Sequence, residues 1–429
     1  MTRLEDRDYF TDFEIAREPY AFFDAVAQHG PVYQPEGRDY LIVTGFDEAV
    51  EIFNNHRDFS AIIGLAGAAA PLPFVPQGLD ITDQIEAHRP QFLGGDLVVN
   101  LDDDAHTRLR GFMNRLFTPS RLKANEAFIA AYSEQMIRRV VSQGQCDLIK
   151  EIATPFVTIV IADLLGVPEE DRDTFMAMIE ASPAPGNLDS SLNDLSRTDH
   201  PMLAMAGYFA RYIMERQAAP REDILSELAH AEYSDGTKPT MVDLISLGTF
   251  MFGAGQDTSA KLLGNAVRHI VDVPGLQDKL RADPSLIPAM IEEILRLEGS
   301  TKQTARLVRR DTRIGDCEVK AGTRILLAIS AANRDADRWQ EPDAFNLDRP
   351  RIKEHVAFGR GKHTCAGAPL ARVEVRVILE QLLKQTSLIE IDESQHGLPG
   401  SRTFEFEPSF IIRGLSHLHV RFTPAEAPA

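Results

Sequence analysis

Cysteine is scarce in this chain. Its 429 residues hold three, Cys146, Cys317 and Cys365, too few for a disulfide framework and consistent with a reducing compartment. Long apolar runs are also missing. No stretch reaches the roughly 18 uninterrupted apolar residues of a membrane span, and the opening Met1-Thr2-Arg3-Leu4-Glu5-Asp6-Arg7-Asp8 is charged, without the apolar run of a secretory signal. The expectation is a soluble, cytoplasmic protein. Positive charge is in deficit, with a formal net charge of −19, which argues against non-specific nucleic-acid binding. There is no C-x-x-C pair, no H-E-x-x-H and no Walker loop, so the short motifs of common zinc, dithiol and nucleotide sites are absent. Gly359-Arg360-Gly361 matches only two glycines of a dinucleotide fingerprint, and no flavin or iron–sulfur region is recognisable.

What is present is a long, core-forming chain, 44% hydrophobic. No Ser/Gly tract, Pro-rich run or charge block marks a linker, so residues 1–429 read as one domain. Periodicity predicts a short helix over 20–28, strands at 32–33 and 40–44, and a helix over 49–55. The stretch from Ile62 to Gly95 is broken by glycine and proline and reads as irregular. From Asp103 to Ile270 the pattern is mostly helical, interrupted between Ser182 and Pro201. Strand-like pieces return at 308–314 and 323–328, another irregular stretch covers 333–360, and 404–422 reads as a hairpin around Gly414. The fold class is therefore mainly α with small β-sheets.

The most informative segment is Phe358-Gly359-Arg360-Gly361-Lys362-His363-Thr364-Cys365-Ala366-Gly367-Ala368-Pro369-Leu370-Ala371-Arg372. It sets one cysteine between a glycine-rich loop and a run, 373–385, with apolar residues at helical spacing. Free N–H groups and the dipole at a helix N-terminus stabilise a thiolate. Glycines admit a flat partner where a Cβ would clash, and a thiolate with space around it suits haem iron. A second constellation lies in a predicted helix of about 30 residues, roughly 45 Å, that starts at the capping box Thr240-Met241-Val242-Asp243 and stops at Pro274-Gly275. Near its middle, Ala254, Gly255 and Thr258 share one face beside Asp257, and a threonine hydroxyl bonded to the i−4 carbonyl can open a groove there.

Both segments resemble the cytochrome P-450 family. The first matches its haem-binding signature in full, and Ala254-Gly255-Gln256-Asp257-Thr258 matches its oxygen-binding groove; the motifs fall in family order along essentially the whole chain. The resemblance implies the P-450 fold, with haem b between the threonine helix and the helix that follows the cysteine. It implies Cys365 as the iron ligand, with Ala254, Gly255, Phe358, Gly359 and Gly367 against the haem and His106, Arg110, Arg306 and His363 at its propionates. Thr258 would hydrogen-bond O2 and Asp257 would relay protons to it. Glu293, Arg296 and Arg349 would form a structural network behind the cysteine loop. The substrate walls would come from the two irregular segments 62–95 and 182–201, from Phe250 and Met251, from 302–304 including Lys302, and from Phe410, Ile411 and Ile412.

The activity implied is a haem-thiolate monooxygenase that puts one atom of O2 into a small to medium hydrophobic substrate, terpenoid, steroid-like or aromatic. The enzyme would be a monomer that takes electrons from a separate ferredoxin and ferredoxin reductase. Seven basic and two acidic residues between Arg349 and Arg376, a local excess of five positive charges in an acidic chain, would dock an acidic ferredoxin. A peroxide-driven peroxygenase and a non-catalytic haem-thiolate sensor or carrier are the alternatives. Asp257-Thr258 argues against the first, and the lack of an output module against the second.

Overall fold

A computed structural model describes residues 3–182, 185–188 and 201–426. The interruption expected over 182–201 therefore falls largely outside the described residues. Near the N-terminus come α1 (Tyr20–Ala27), β1 (Val32–Tyr33), β2 (Tyr40–Val43), α2 (Phe46–Asn54) and β3 (Phe59–Ser60). The segment expected to be irregular from Ile62 contains a short α-helix, α3 (Thr82–His88), followed by a 3-10 turn over Arg89–Gln91. Ile81 and Ile85, one turn apart, are both fully buried; tertiary burial holds a helix too short to show as a periodic pattern.

The helical middle includes α4 (Asp103–Leu116), α5 (Pro119–Val141), α6 (Thr154–Leu165), α7 (Pro201–Ala218) and α8 (Met241–Asp272), with β4 (Gln145–Asp147) between α5 and α6 and shorter helices at Arg172–Glu180 and Ile224–Ala229. After α9 (Ile287–Glu298) come β5 (Thr304–Val308), β6 (Thr312–Ile314), β7 (Cys317–Val319) and β8 (Arg324–Leu327). The chain closes with α10 (Ala368–Gln385), β9 (Thr386–Ile391) and β10 (His419–Pro424).

The main sheet has the order β1-β2-β8-β5-β3. β2 runs parallel to β8, from Tyr40 opposite Arg324 to Val43 opposite Leu327, and so ties the start of the chain to its last third. β5 is antiparallel to β8, with Arg306 opposite Ile325. The single strand expected over 308–314 is two: β5 ends at Val308, and β6 turns back at Gly315 to pair with β7. The C-terminal hairpin is also different. Its arms meet only at the Phe406–Leu415 bridge, its tip bridges Thr301 through Ile412, and β10 leaves to lie between β4 and β9.

α8 is the axis of the molecule. Its 32 residues span about 48 Å, and it packs on α6, α7, α9 and α10. The expected capping box is formed: the Asp243 amide donates to Thr240 Oγ1 at 3.1 Å, and the Thr240 amide donates to Asp243 Oδ2 at 2.8 Å. Gly275, with φ of 71°, turns the chain out of it. Among the described residues, no helix is long and apolar enough to cross a membrane.

Candidate active site

The cysteine loop runs from Val356 into α10. The Cys365 amide donates to the Phe358 carbonyl at 2.9 Å and Thr364 Oγ1 donates to the Gly361 carbonyl at 2.8 Å, folding the loop back on itself. Gly361, at φ 68°, passes so close to α2 that a Cβ would meet the Phe53 carbonyl and lie 2.7 Å from His56 Nε2. Cys365 opens onto a cavity. Burial pushes its thiol up in pKa, while the Gly367 amide, Arg110 and the Ala368 amide pull it back.

Two buried ion networks fix this loop from behind. Glu293, fully buried on α9, accepts from Arg296 Nε at 3.0 Å and Nη2 at 2.8 Å, from Arg349 Nε at 3.0 Å and from the Asn346 amide at 3.0 Å. The remaining guanidinium N–H groups donate to the carbonyls of Asn333, Pro342 and Ala344 (Arg296) and of Gln340, Glu341 and Ala344 (Arg349). They thereby order an irregular segment whose Asn333 side chain accepts from the Val356 amide at 2.8 Å. The trio expected from the sequence is thus assembled. A second network lies beside it. Glu292 accepts from Arg372 Nε at 2.5 Å and from His355 Nε2 at 3.1 Å, and His355 Nδ1 accepts from the Ala357 amide at 3.2 Å. Its signal was visible only as a second acid beside Glu293 and the arginine that ends the cysteine motif.

The cavity, about 320 Å³, separates the cysteine loop from α8. Phe250, Met251, Ala254, Gly255 and Thr258 line one side, and Phe358, Gly359, His363, Cys365 and Gly367 the other. Thr258 Oγ1 donates to the Ala254 carbonyl at 3.0 Å, the i−4 bond expected, which leaves its oxygen lone pairs free to accept from the cavity side. Asp257 does not line the cavity. Its Oδ1 lies 3.7 Å from Lys261 Nζ and its Oδ2 is buried without a partner. Lys261 also binds Glu407. Burial lowers the Lys261 pKa, but Asp257 and Glu407 raise it further, so it stays charged, while burial holds the Glu407 carboxyl above its ordinary value. Two acids therefore share one ammonium beside Thr258.

A cationic edge closes one end. Arg110 and Arg306 line the cavity. Their side chains donate to Asn114 Oδ1 and the Thr364 carbonyl (Arg110) and to the Ala305 carbonyl and Thr304 Oγ1 (Arg306). Neither pairs with a carboxylate among the described residues. Burial lowers Arg306 to about 10. His363 is held neutral, at about 2, by burial, then Arg306 and His106. His106 stands one layer back, its ring 4.1 Å from that of His363 and its Nε2 buried without a partner; burial, then Arg110, lowers it to about 4.

A family model described as Cytochrome P450 (written P-450 here) matches residues 79–401. The chain belongs to the cytochrome P-450 family. It is 33% identical over 371 residues to the putative cytochrome P-450 YjiB of Bacillus subtilis, covering 86% of this chain and 87% of that one. The substrate-free structure of Mycobacterium marinum cytochrome P-450 CYP150A6 superimposes with a TM-score of 0.91 at 41% identity, covering 99% of this chain and 100% of that one. CYP109E1 of Bacillus megaterium, solved in complex with corticosterone, has a TM-score of 0.79 at 26% identity over 95% and 99% of the two chains. This protein is accordingly an oxidoreductase of the bacterial P-450 monooxygenase family, which works with haem and O2.

The residues of this P-450 fit haem. A sulfur opens onto the cavity floor, and guanidiniums without carboxylates stand at its edge, where a ligand carrying two carboxylates would neutralise them. The substrate walls differ from expectation. Lys302 is fully buried, its ammonium held by the carbonyls of Ala16 and Ser409 and its pKa driven well down by burial and then Arg413. Phe410 packs on Phe10 with ring centroids 5.1 Å apart, Ile411 lies beside Gly186, and Ile412 bridges Thr301. None of the four lines the cavity. The reason is pairing: the Lys302 amide donates to the Ile411 carbonyl and the Arg413 amide to the Ser300 carbonyl, both at 2.8 Å, which turns the tip towards the N-terminal segment. No described residue of 62–95 lines it either. The walls come from Val98, Val99, Met113, Phe117 and Ile161, of which only the apolar pair just past Gly94-Gly95 leaves a local trace in the sequence.

The basic face is smaller than the sequence count. Arg349 is buried on Glu293, Arg372 pairs with Glu292, and Arg376 pairs with Glu126 and Glu380. Lys353 and Lys362 have no ion pair among the described residues. Glu374, counted among the acids of that face, is 1% exposed and points inward.

Proposed function

We propose that this P-450 binds haem b through Cys365 and transfers one atom of O2 into a small to medium hydrophobic substrate. The observation that carries this reading is the cavity itself, with a cysteine sulfur on its floor, Thr258 facing it and apolar side chains around them. Haem bound there supplies the reductive activation of O2. Arg110, Arg306 and His363 would meet its propionates, with His106 supporting His363. Thr258 Oγ1 would accept and pass on a proton at the cavity face. Asp257 would refill it, with Lys261, itself paired to Glu407, beside that carboxylate. Glu293, Arg296 and Arg349 keep the loop that presents the sulfur rigid.

The substrate is proposed to be terpenoid, steroid-like or aromatic. Apolar walls support this, as does the relative solved with corticosterone. Phe250, Met251, Val98, Val99 and Phe117 would contact it. Electrons are proposed to come from an acidic ferredoxin and its reductase. A depression of about 300 Å³ at the cysteine loop, lined by Lys353 and Arg360 beside Phe358 and Gly359, suits such a donor.

The decisive experiment is the absorption spectrum of the dithionite-reduced protein with and without carbon monoxide, followed by spin-state titration with steroids, terpenes and aromatics. A strongly red-shifted Soret band in wild type, lost in Cys365→Ser, is expected. A band typical of an imidazole-ligated carbonyl, or its persistence in Cys365→Ser, would remove Cys365 as the ligand.

A further inference from the structure

Away from the cavity, the three-stranded sheet gathers a second set of metal-binding side chains. His419 pairs directly with Asp147 across the β10–β4 ladder, and His417 stands two residues earlier. Leu418 between them is fully buried, so both imidazoles take the opposite side of the extended chain. The donor atoms of Asp147, His417 and His419 all lie within 4.8 Å of one another, and His417 Nδ1 is already 2.6 Å from Asp147 Oδ2. Tetrahedral zinc, with bonds of about 2.0–2.2 Å, needs its ligand atoms roughly 3.4 Å apart, a distance that small side-chain rotations give. The His417 side chain is 56% exposed, which leaves it free to make them and leaves a way in for an ion.

The surroundings are those of a held ligand set rather than a chance surface pair. Asp147 Oδ1 accepts from the amides of Leu418 and Ile149, both at 3.1 Å, fixing the carboxylate and keeping Oδ2 for the cluster. The His419 amide donates to His396 Nε2 at 3.0 Å, and His396 Nδ1 in turn donates to the Thr403 carbonyl at 3.2 Å. His396 is therefore committed to positioning the strand and is not a ligand. Such outer-shell bonds are what orient first ligands at metal centres.

We propose that Asp147, His417 and His419 form a site for a divalent transition metal of the zinc class, with the fourth position left to water. Two imidazoles and one carboxylate suit zinc and not calcium or magnesium, which prefer all-oxygen sets. The metal would replace the proton on His417 Nδ1 and clamp β10 to β4. None of the three residues lines the haem cavity, so the site is independent of the P-450 chemistry.

The test uses the untagged, haem-loaded protein, freed of metal by dialysis against a chelator and titrated calorimetrically with zinc chloride. One zinc per chain is expected, together with a higher unfolding temperature. Loss of an outer-shell partner alone costs roughly 10–100-fold in metal affinity, so His417→Ala/His419→Ala should weaken binding by at least about 100-fold with the Soret absorbance unchanged. Because His417 is exposed, His417→Ala alone should unfold as wild type does without zinc and still bind at least about 10-fold more weakly. Wild-type affinity in the double variant, or no uptake by the wild type, would overturn the proposal.

Discussion

Glu374 offers a sharp test of the electrostatics between α10 and α8. The residue is 1% exposed, and neither carboxylate oxygen has a hydrogen-bond partner. Burial pushes its pKa to about 8 from an ordinary 4.5; the Ser259 hydroxyl on α8, which closes no hydrogen bond to it, is the one group opposing the shift. The folded protein thus keeps a proton that the unfolded chain gives up. The stability associated with this group is full below about 4.5 and is lost as pH rises towards 8. Each unit in that window costs about 1.4 kcal/mol, so the whole window costs at most about 5 kcal/mol. Glu374→Gln keeps the shape and never ionises. Urea unfolding at pH 5, 6, 7 and 8 should give nearly equal stabilities at pH 5 and a variant more stable by about 3–5 kcal/mol at pH 8. The carbonyl-stretch band of a protonated carboxylic acid should also vanish from the infrared difference spectrum. Parallel curves, or a variant less stable than wild type at pH 8, would show that Glu374 is ionised and paired, refuting the reasoning.

Other consequences concern the loop and the cavity. Glu293→Gln leaves Arg296 and Arg349 buried without their shared carboxylate, which should cost about 3–5 kcal/mol and show as a lower unfolding midpoint with reduced haem content; a loss under about 1 kcal/mol would mean the carbonyl bonds alone hold the segment. Thr258→Ala should retain haem and substrate binding but divert reducing equivalents to hydrogen peroxide, measured as peroxide per NAD(P)H consumed; unchanged coupling would remove Thr258 from proton delivery. Lys362→Glu, at a cation with no ion partner among the described residues, should raise the KM for an acidic ferredoxin at low salt and leave the carbon monoxide spectrum unchanged. An unaltered KM would locate donor docking elsewhere.

Local chemistry was legible along the chain. The cysteine loop, the Thr240–Asp243 cap and the Ala254–Thr258 face depend on neighbours within a turn or two; the cap starts the long helix, and the other two line one cavity, as the family resemblance implied. The trio Glu293, Arg296 and Arg349 was legible only through family resemblance, since E-x-x-R alone describes many surface pairs; burial behind the loop distinguishes it. What failed depended on partners far apart in sequence. Lys302 and the Phe410–Ile412 tip were assigned to the substrate wall, and a backbone pairing between Ser300–Lys302 and the C-terminal loop turned them away. Glu374 read as one more surface charge because nothing local encodes the contact of α10 with α8. Asp257 read as a residue of the groove, whereas it stands beside the cavity, 3.7 Å from Lys261.

The sequence by itself determined the family, through the resemblance of two motifs, and with it the ligand cysteine expected and the long helix opposite, whose local features rest on short-range geometry: a glycine that must take positive φ, a capping box, an i−4 hydroxyl bond. Only the tertiary structure decided which apolar residues wall the cavity, which charges are spent in buried pairs, and that Asp147, His417 and His419 meet. Those outcomes follow from desolvation and strand register, which arise when segments some 270 residues apart in sequence pack together, and no local pattern records them.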